Sequence, residues 1–183
     1  MLCILIALIT ACSSSSRKNS DSIIKSEFDG APSWILGNAN TSQRICGVGS
    51  AVNSENFSMM RMAAQSRGRT EISRLLGIKI QAILRDYRST TTGDEKFDAE
   101  LNNEQYIVDI SKQITDVTLS GSEQKESWTS DSKTLYVLMC EDLEKFKESL
   151  KNMNQLGKSI RDAVIARSDT AFDELLKETD AQK

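Results

Sequence analysis

A chain of 183 residues, 39% hydrophobic and 27% charged, has the size and composition of one globular domain with appendages. A net charge of −3 without a basic stripe excludes the dense positive field that nucleic-acid binding requires. Histidine is absent, which removes Ser–His and Cys–His nucleophile pairs and histidine-containing zinc sites.

The apolar run Leu2 to Ala11 is too short to span a bilayer and has the size of the h-region of a secretory signal. Ile9-Thr10-Ala11-Cys12 resembles the bacterial lipobox, in which a cysteine thiol receives diacylglycerol before cleavage. Residues 1–11 are therefore read as a lipoprotein signal peptide and Cys12 as the lipidation site. A generic signal with a chance cysteine is the plainer alternative. No Lys or Arg precedes the apolar run, as an n-region would supply, and this leaves open a start upstream of Met1. Acyl chains contribute roughly 0.8 kcal/mol per buried methylene, enough for two or three of them to hold a chain on a membrane. Ser13 after the cysteine, in place of Asp, points to outer-membrane sorting.

Residues 12–29, opening with four serines, are polar and without periodicity and read as a flexible tether. Residues 30–155 are then expected to form the domain, with 156–183 as a helical extension. Pro32, the chain's one proline, fixes a turn that places Trp34 to pack against the fold. Arg44 to Val52 reads as a strand in which Gly47 and Gly49 leave one face bare. That glycine pair lacks the small sixth residue and the acidic partner of a dinucleotide site.

From Ser54, a candidate N-cap, to Leu76 the spacing is helical, with Met60, Ala64, Gly68, Ile72 and Leu76 on one face and Gly77 as C′ residue. Ala64 and Gly68 would let this helix approach the glycine-bearing strand. After Gly77, alternating Ile78, Ile80, Ala82 and Leu84 favour a strand over a continued helix through Ile80, Ile83, Leu84 and Tyr87. A loop over 88–98, a helix over 102–117 and strands over 117–128 and 134–140 follow, the strands joined by the Ser130–Ser132 turn. The last strand is apolar on both faces, hence central. Leu143, Phe146, Leu150, Met153, Leu156, Ile160 and Val164 form one stripe, and Ser168 or Asp169 would cap a last helix carrying Phe172, Leu175 and Leu176. The first half of the stripe is expected to pack in the core and the second against a partner helix, with a frayed tail as the alternative. The fold class is thus α+β: a small mixed or antiparallel sheet packed by two helices, with a C-terminal helical extension.

Cys46 and Cys140 both fall in strands. A disulfide between them and two free core thiols are both open, and the balance favours free thiols because strand order is unknown. Their spacing excludes a CysxxCys metal site. The carboxylate pairs Asp94–Glu95 and Glu141–Asp142 are adjacent in sequence, so each pair points apart and makes no hydrolytic site unaided.

Gly30-Ala31-Pro32-Ser33-Trp34-Ile35-Leu36-Gly37, Gly47-x-Gly49-x-Ala51, Gly68-Arg69-Thr70-Glu71-Ile72-Ser73, and Trp128 followed by Leu135-Tyr136-Val137-Leu138 are together similar to the LPP-twenty family of bacterial lipoproteins. The resemblance covers about residues 28 to 155, and Gly68 departs from the family's usual alanine. It implies a small α+β sandwich at an outer-membrane or surface location, on the cell surface or the periplasmic face, with Pro32, Trp34, Gly47, Gly49, Arg69 and Tyr136 as structural motif residues and no catalytic residue to carry over; no metal or cofactor is expected. Surface antigens, flagellar accessory scaffolds and domains that activate cell-wall synthases are the roles it suggests. The leading expectation is a non-enzymatic lipoprotein, bound to the membrane through Cys12, that acts on an envelope protein or on copies of itself. A regulator docking on a cell-wall synthase is the alternative, and a carboxylate-dependent hydrolase is the reading from another class.

Overall fold

The computed structural model describes residues 24, 26–37, 39–90 and 103–180, with side chains as far as Lys177. The order along the chain is α1 (Ser33–Leu36), β1 (Arg44–Ala51), α2 (Phe57–Thr90), α3 (Glu104–Leu119), β2 (Glu123–Thr129), β3 (Leu135–Asp142), α4 (Leu143–Lys151) and α5 (Lys158–Asp180). The three strands form one antiparallel sheet in the order β1-β3-β2, so β3 is central, as its two apolar faces require. Cys46 lies opposite Cys140 and Ala51 opposite Leu135, while β2 carries an irregularity between Gln124 and Glu126.

Strand alternation gives the sheet two different faces. Ile45, Ala51, Leu135, Val137 and Met139 turn toward the helices and join the main core with Ile72, Leu76, Ile107 and Phe146. Cys46, Leu138 and Cys140 turn the other way and meet Trp34, with Tyr136 and Trp128 packed beside them. The second, smaller core is closed by the segment that precedes β1.

α2 lies across β1 where the side chains are smallest. A Cβ added at Gly47 would stand 2.9 Å from Glu71 Cβ, and one at Gly49 would fall on the Ala64 carbonyl oxygen. At Gly68 an added Cβ would stand 2.7 Å from Met139 Cγ and 3.1 Å from the Gly47 carbonyl oxygen, which is why alanine does not fit there in this chain. The bare strand and the small-residue helix face are two halves of one close contact.

α2 corrects the expected strand over 78–84. It continues to Thr90, and Ile80, Ile83 and Leu84 extend the buried stripe of Ile72 and Leu76. Ile78 and Ala82 of the alternating set are exposed, and the buried set Ile80, Ile83 and Leu84 has the i, i+3, i+4 spacing of a helix face packed on α3 and α5. Gly77 is a helix-interior residue, not C′, because α2 runs on to Thr90 and the backbone at Gly77 does not enter the left-handed region. At the other end Asn56, not Ser54, caps the helix: its Oδ1 accepts the Met59 N–H at 3.1 Å, while the Ser54 hydroxyl accepts the Asn56 N–H at 3.3 Å.

α3 starts two residues after the expected position, because Asn103 caps it by accepting the Gln105 N–H at 2.9 Å. It also runs on through Val117 to Leu119, which shortens the expected strand to Glu123–Thr129. Most of the expected 88–98 loop lies outside the described residues. The long C-terminal stripe breaks at 152–157 into α4 and α5, and all seven of its residues are buried. The partner helices of its second half are the chain's own: Phe172 packs on Phe146 with ring centroids 5.7 Å apart, and the Arg167 guanidinium stands 5.5 Å over the Tyr87 ring. Ser168 and Asp169 cap no separate helix. Ser168 is buried inside α5 and donates to the Ile165 carbonyl, and Asp169 pairs with Lys147 at 2.7 Å.

Candidate functional site

Of the residues singled out by the sequence, Pro32, Trp34, Cys46, Tyr136 and Cys140 meet at the sheet's outer face and the arm that crosses it. Within the stretch read as a tether, Glu27 and Phe28 already hold to the sheet: the Tyr136 hydroxyl donates to Glu27 Oε1 at 3.0 Å, and the Phe28 and Tyr136 rings lie 5.7 Å apart. The Ser132 and Ser130 hydroxyls, with lesser help from Tyr136 and Thr134, hold the Glu27 carboxyl below its ordinary range. Burial and that carboxylate push the Tyr136 phenol up to about 12. Pro32 then sets the N-terminal boundary of α1. Trp34 drops from that short helix onto the disulfide face, is 7% exposed, and donates its indole N–H to Glu126 Oε2 at 2.7 Å. Asn40 ends the arm by accepting the Cys46 N–H at 2.7 Å, which satisfies a backbone donor on the free edge of β1.

Under Trp34 the structure joins Cys46 to Cys140 in a disulfide across a separation of 94 residues. The pair sits directly opposite in the β1–β3 register with Cα atoms 4.1 Å apart, so strand order supplies what spacing could not and corrects the preference for free thiols. Gly47 and Gly49 face away from this bond, toward α2. Arg69 lies on α2 and donates to the Ser122 hydroxyl at 3.2 Å, tying the helix to the turn that opens β2.

Glu141 and Asp142 point apart, as adjacent strand residues must. Asp142 accepts Arg44 at 2.8 Å on the surface. Glu141 is fully buried with neither carboxylate oxygen hydrogen-bonded among the described residues, and it faces the backbone of Gly121. Desolvation, reinforced by the neighbouring Asp142 charge, pushes its carboxyl up to about 7. The signal in the sequence that could have found this buried acid is alternation, since Glu141 continues the inward-facing series Leu135, Val137 and Met139 of β3. Asp94 and Glu95 lie outside the described residues. Among the described residues no three His, Cys, Asp or Glu side chains gather as metal ligands, and no helix is long and apolar enough to cross a membrane.

What the fold and this face define is a small α+β module in which Pro32, Trp34 and Tyr136 fasten an N-terminal arm to one face of a sheet and Gly47, Gly49 and Arg69 fasten α2 to the other. The sequence model of the LPP20 lipoprotein family matches residues 32–140, from Pro32 through Cys140, and the chain belongs to that family. Membership carries membrane association through a lipid anchor. A comparison with individually characterised proteins gives no match.

Proposed function

We propose that the chain is a non-enzymatic outer-membrane lipoprotein, held by acyl chains on Cys12, that works through contacts with envelope proteins or with copies of itself as a scaffold. The observation that carries this reading is the fastened arm. Glu27, Phe28, Trp34 and Asn40 fix the start of the domain to its sheet, so a tether leaving at residue 24 pulls on a defined point of a rigid body. An architecture that spends its motif residues on attachment suits a part that is held and touched. Glu141 does not alter this, since a lone acid without a second group has nothing to work with.

Palmitate labelling in a bacterial host tests the anchor: label enters the wild type and is lost in Cys12→Ser, which also leaves the membrane fraction. Equal membrane binding without label would overturn it. Cross-linking on intact cells followed by purification from detergent-solubilised envelopes tests the contacts, and recovery of monomer alone would overturn the scaffold role.

A further inference from the structure

We infer that the end of the domain formed by residues 52–62 docks on the phospholipid surface that the N-terminal anchor enters. The inference rests on the anchor proposed above, and its argument is one of placement. Eight large apolar side chains are exposed among the described residues, and five of them, Ile24, Val52, Phe57, Met59 and Met62, belong to one end. Each of the five is more than half exposed.

The register shows that they share that end. β1 leaves the sheet at Ala51, opposite Leu135, and Val52 follows at once. α2 runs antiparallel to β1, since Ala64 sits against Gly49 and Gly68 against Gly47. Its first turn, residues 57–59, therefore projects past the end of the strand where Ala51 lies, and Met62 follows one turn back on the exposed side of the helix. The arm is fastened at the same place, because Glu27 and Phe28 lie on Tyr136, the second residue of β3, and Glu27 reaches the 130–134 turn. From Ile24 back to Cys12 are twelve residue steps, at most about 40 Å of extended chain. The shortest path from an acylated Cys12 therefore enters the domain at this end, so a short tether conformation brings it to the bilayer first.

The opposite end is built for water. There Arg44, Glu123, Lys125, Asp142 and Lys145 form a lattice of surface ion pairs. At the docking end the exposed charges are mixed, with Glu55 and Asp131 against Arg61, Arg67 and Lys133. Apolar insertion, not attraction to anionic headgroups, is therefore the contact. Methionine and phenylalanine suit it, being flexible or broad and carrying no charge. A patch of five side chains falls short of the roughly 800 Å² per partner that a stable dimer buries. The lipid surface needs no such area, because the anchor already supplies a high local concentration.

The test uses the chain from Cys12 onward, coupled through the Cys12 thiol to a maleimide phospholipid in vesicles of phosphatidylethanolamine and phosphatidylglycerol, which makes it independent of acylation in cells. Amide hydrogen exchange is compared with the same chain capped at Cys12 and free in solution. Exchange over 52–62 slows at least threefold on vesicles, while exchange around Ile78, roughly 24 Å along α2 from Met62 at 1.5 Å per residue, is unchanged. Phe57→Glu combined with Met62→Glu abolishes the slowing and leaves thermal unfolding in solution as in wild type. Equal exchange on and off vesicles overturns the docking. So does protection of 52–62 that grows with protein concentration without vesicles, which would assign the patch to a second copy. Loss of palmitate label in cells would sink the anchor alone, and unchanged exchange on coupled vesicles would sink the docking alone.

Discussion

Replacing Glu141 by glutamine should make the protein more stable at pH 8 and nearly insensitive to pH between 5 and 8. The carboxyl titrates near 7 in the fold against an ordinary value of 4.5. The folded state therefore holds a proton that the unfolded chain has released, and stability falls as pH rises from 4.5 through 7, then levels. At about 1.4 kcal/mol per pH unit the interval corresponds to roughly 3 kcal/mol, and screening by water near the exposed Lys145 and Glu123 reduces this to about 2 kcal/mol. The window is unusually clean because the chain has no histidine, and among the described residues no other group is shifted into it. Glutamine keeps the shape, and its unpartnered amide costs about what the protonated acid does, so wild type and variant should coincide at pH 5. Urea unfolding followed by the fluorescence of Trp34 and Trp128 at pH 5, 6, 7 and 8 reads the difference. A gain of about 2 kcal/mol at pH 8 corresponds to a Tm rise of roughly 4 to 8 °C for a chain of this size. A wild type whose stability is flat or rises over this window, or a variant with the same slope, would refute the reasoning.

Gly77→Ala should stabilise by about 0.5–1 kcal/mol in the same unfolding assay, since the position is helix interior with open space for a methyl; a loss of that size would instead mean a left-handed C′ residue. Gly49→Ala should destabilise by about 3 kcal/mol or more, because the methyl meets the backbone of α2, which cannot move aside as a side chain can. Breaking the Cys46–Cys140 bridge with a double serine variant should cost about 2–5 kcal/mol, read as a lower urea midpoint, and a reductant should lower the wild type but not the variant. Below pH 4.5 the sign reverses relative to Glu141: the carboxyls of Glu27 and Glu123 are held low in the fold, Glu123 at about 2 by Lys145 and Lys125, so their contribution is present above the ordinary value and is lost as pH falls through the folded one. Unfolding midpoints that improve from pH 5 to 3 would contradict those contacts.

The central β3 strand, the glycine seam under α2 and the burial of Trp34 were legible because each is dictated locally. β3 has apolar residues on both faces, Gly47 and Gly49 sit on a strand opposite Ala64 and Gly68 on a helix, and a Trp beside Ile35 and Leu36 has few alternatives to packing. What was not legible depended on pairing across long separations. The disulfide needed the register of β1 on β3, which periodicity does not contain. The run from Ile78 to Leu84 offers both a two-residue set and the helical set Ile80, Ile83 and Leu84, and tertiary packing chose the second: α2 continues because α3 and α5 lie along it to receive those three side chains. The stripe after Leu143 gave the right buried set but not its fold-back, because the turn at 152–157 carries neither proline nor a glycine before Gly157.

The motif residues share one property that bears on what the domain is for. Gly47, Gly49 and Arg69 fix α2 on β1 and on the turn before β2, while Pro32, Trp34 and Tyr136 fix the arm on the opposite face of the same sheet. β1 and β3 are thus clamped from both sides, with the Cys46–Cys140 bond between the clamps. Substitutions at these positions should alter stability and the seating of the arm and of α2 on the sheet. Under the function proposed here, marked residues that govern attachment and orientation would serve to present a surface at a fixed attitude. For a lipid-anchored domain that attitude decides which face meets the membrane and which remains open to partners.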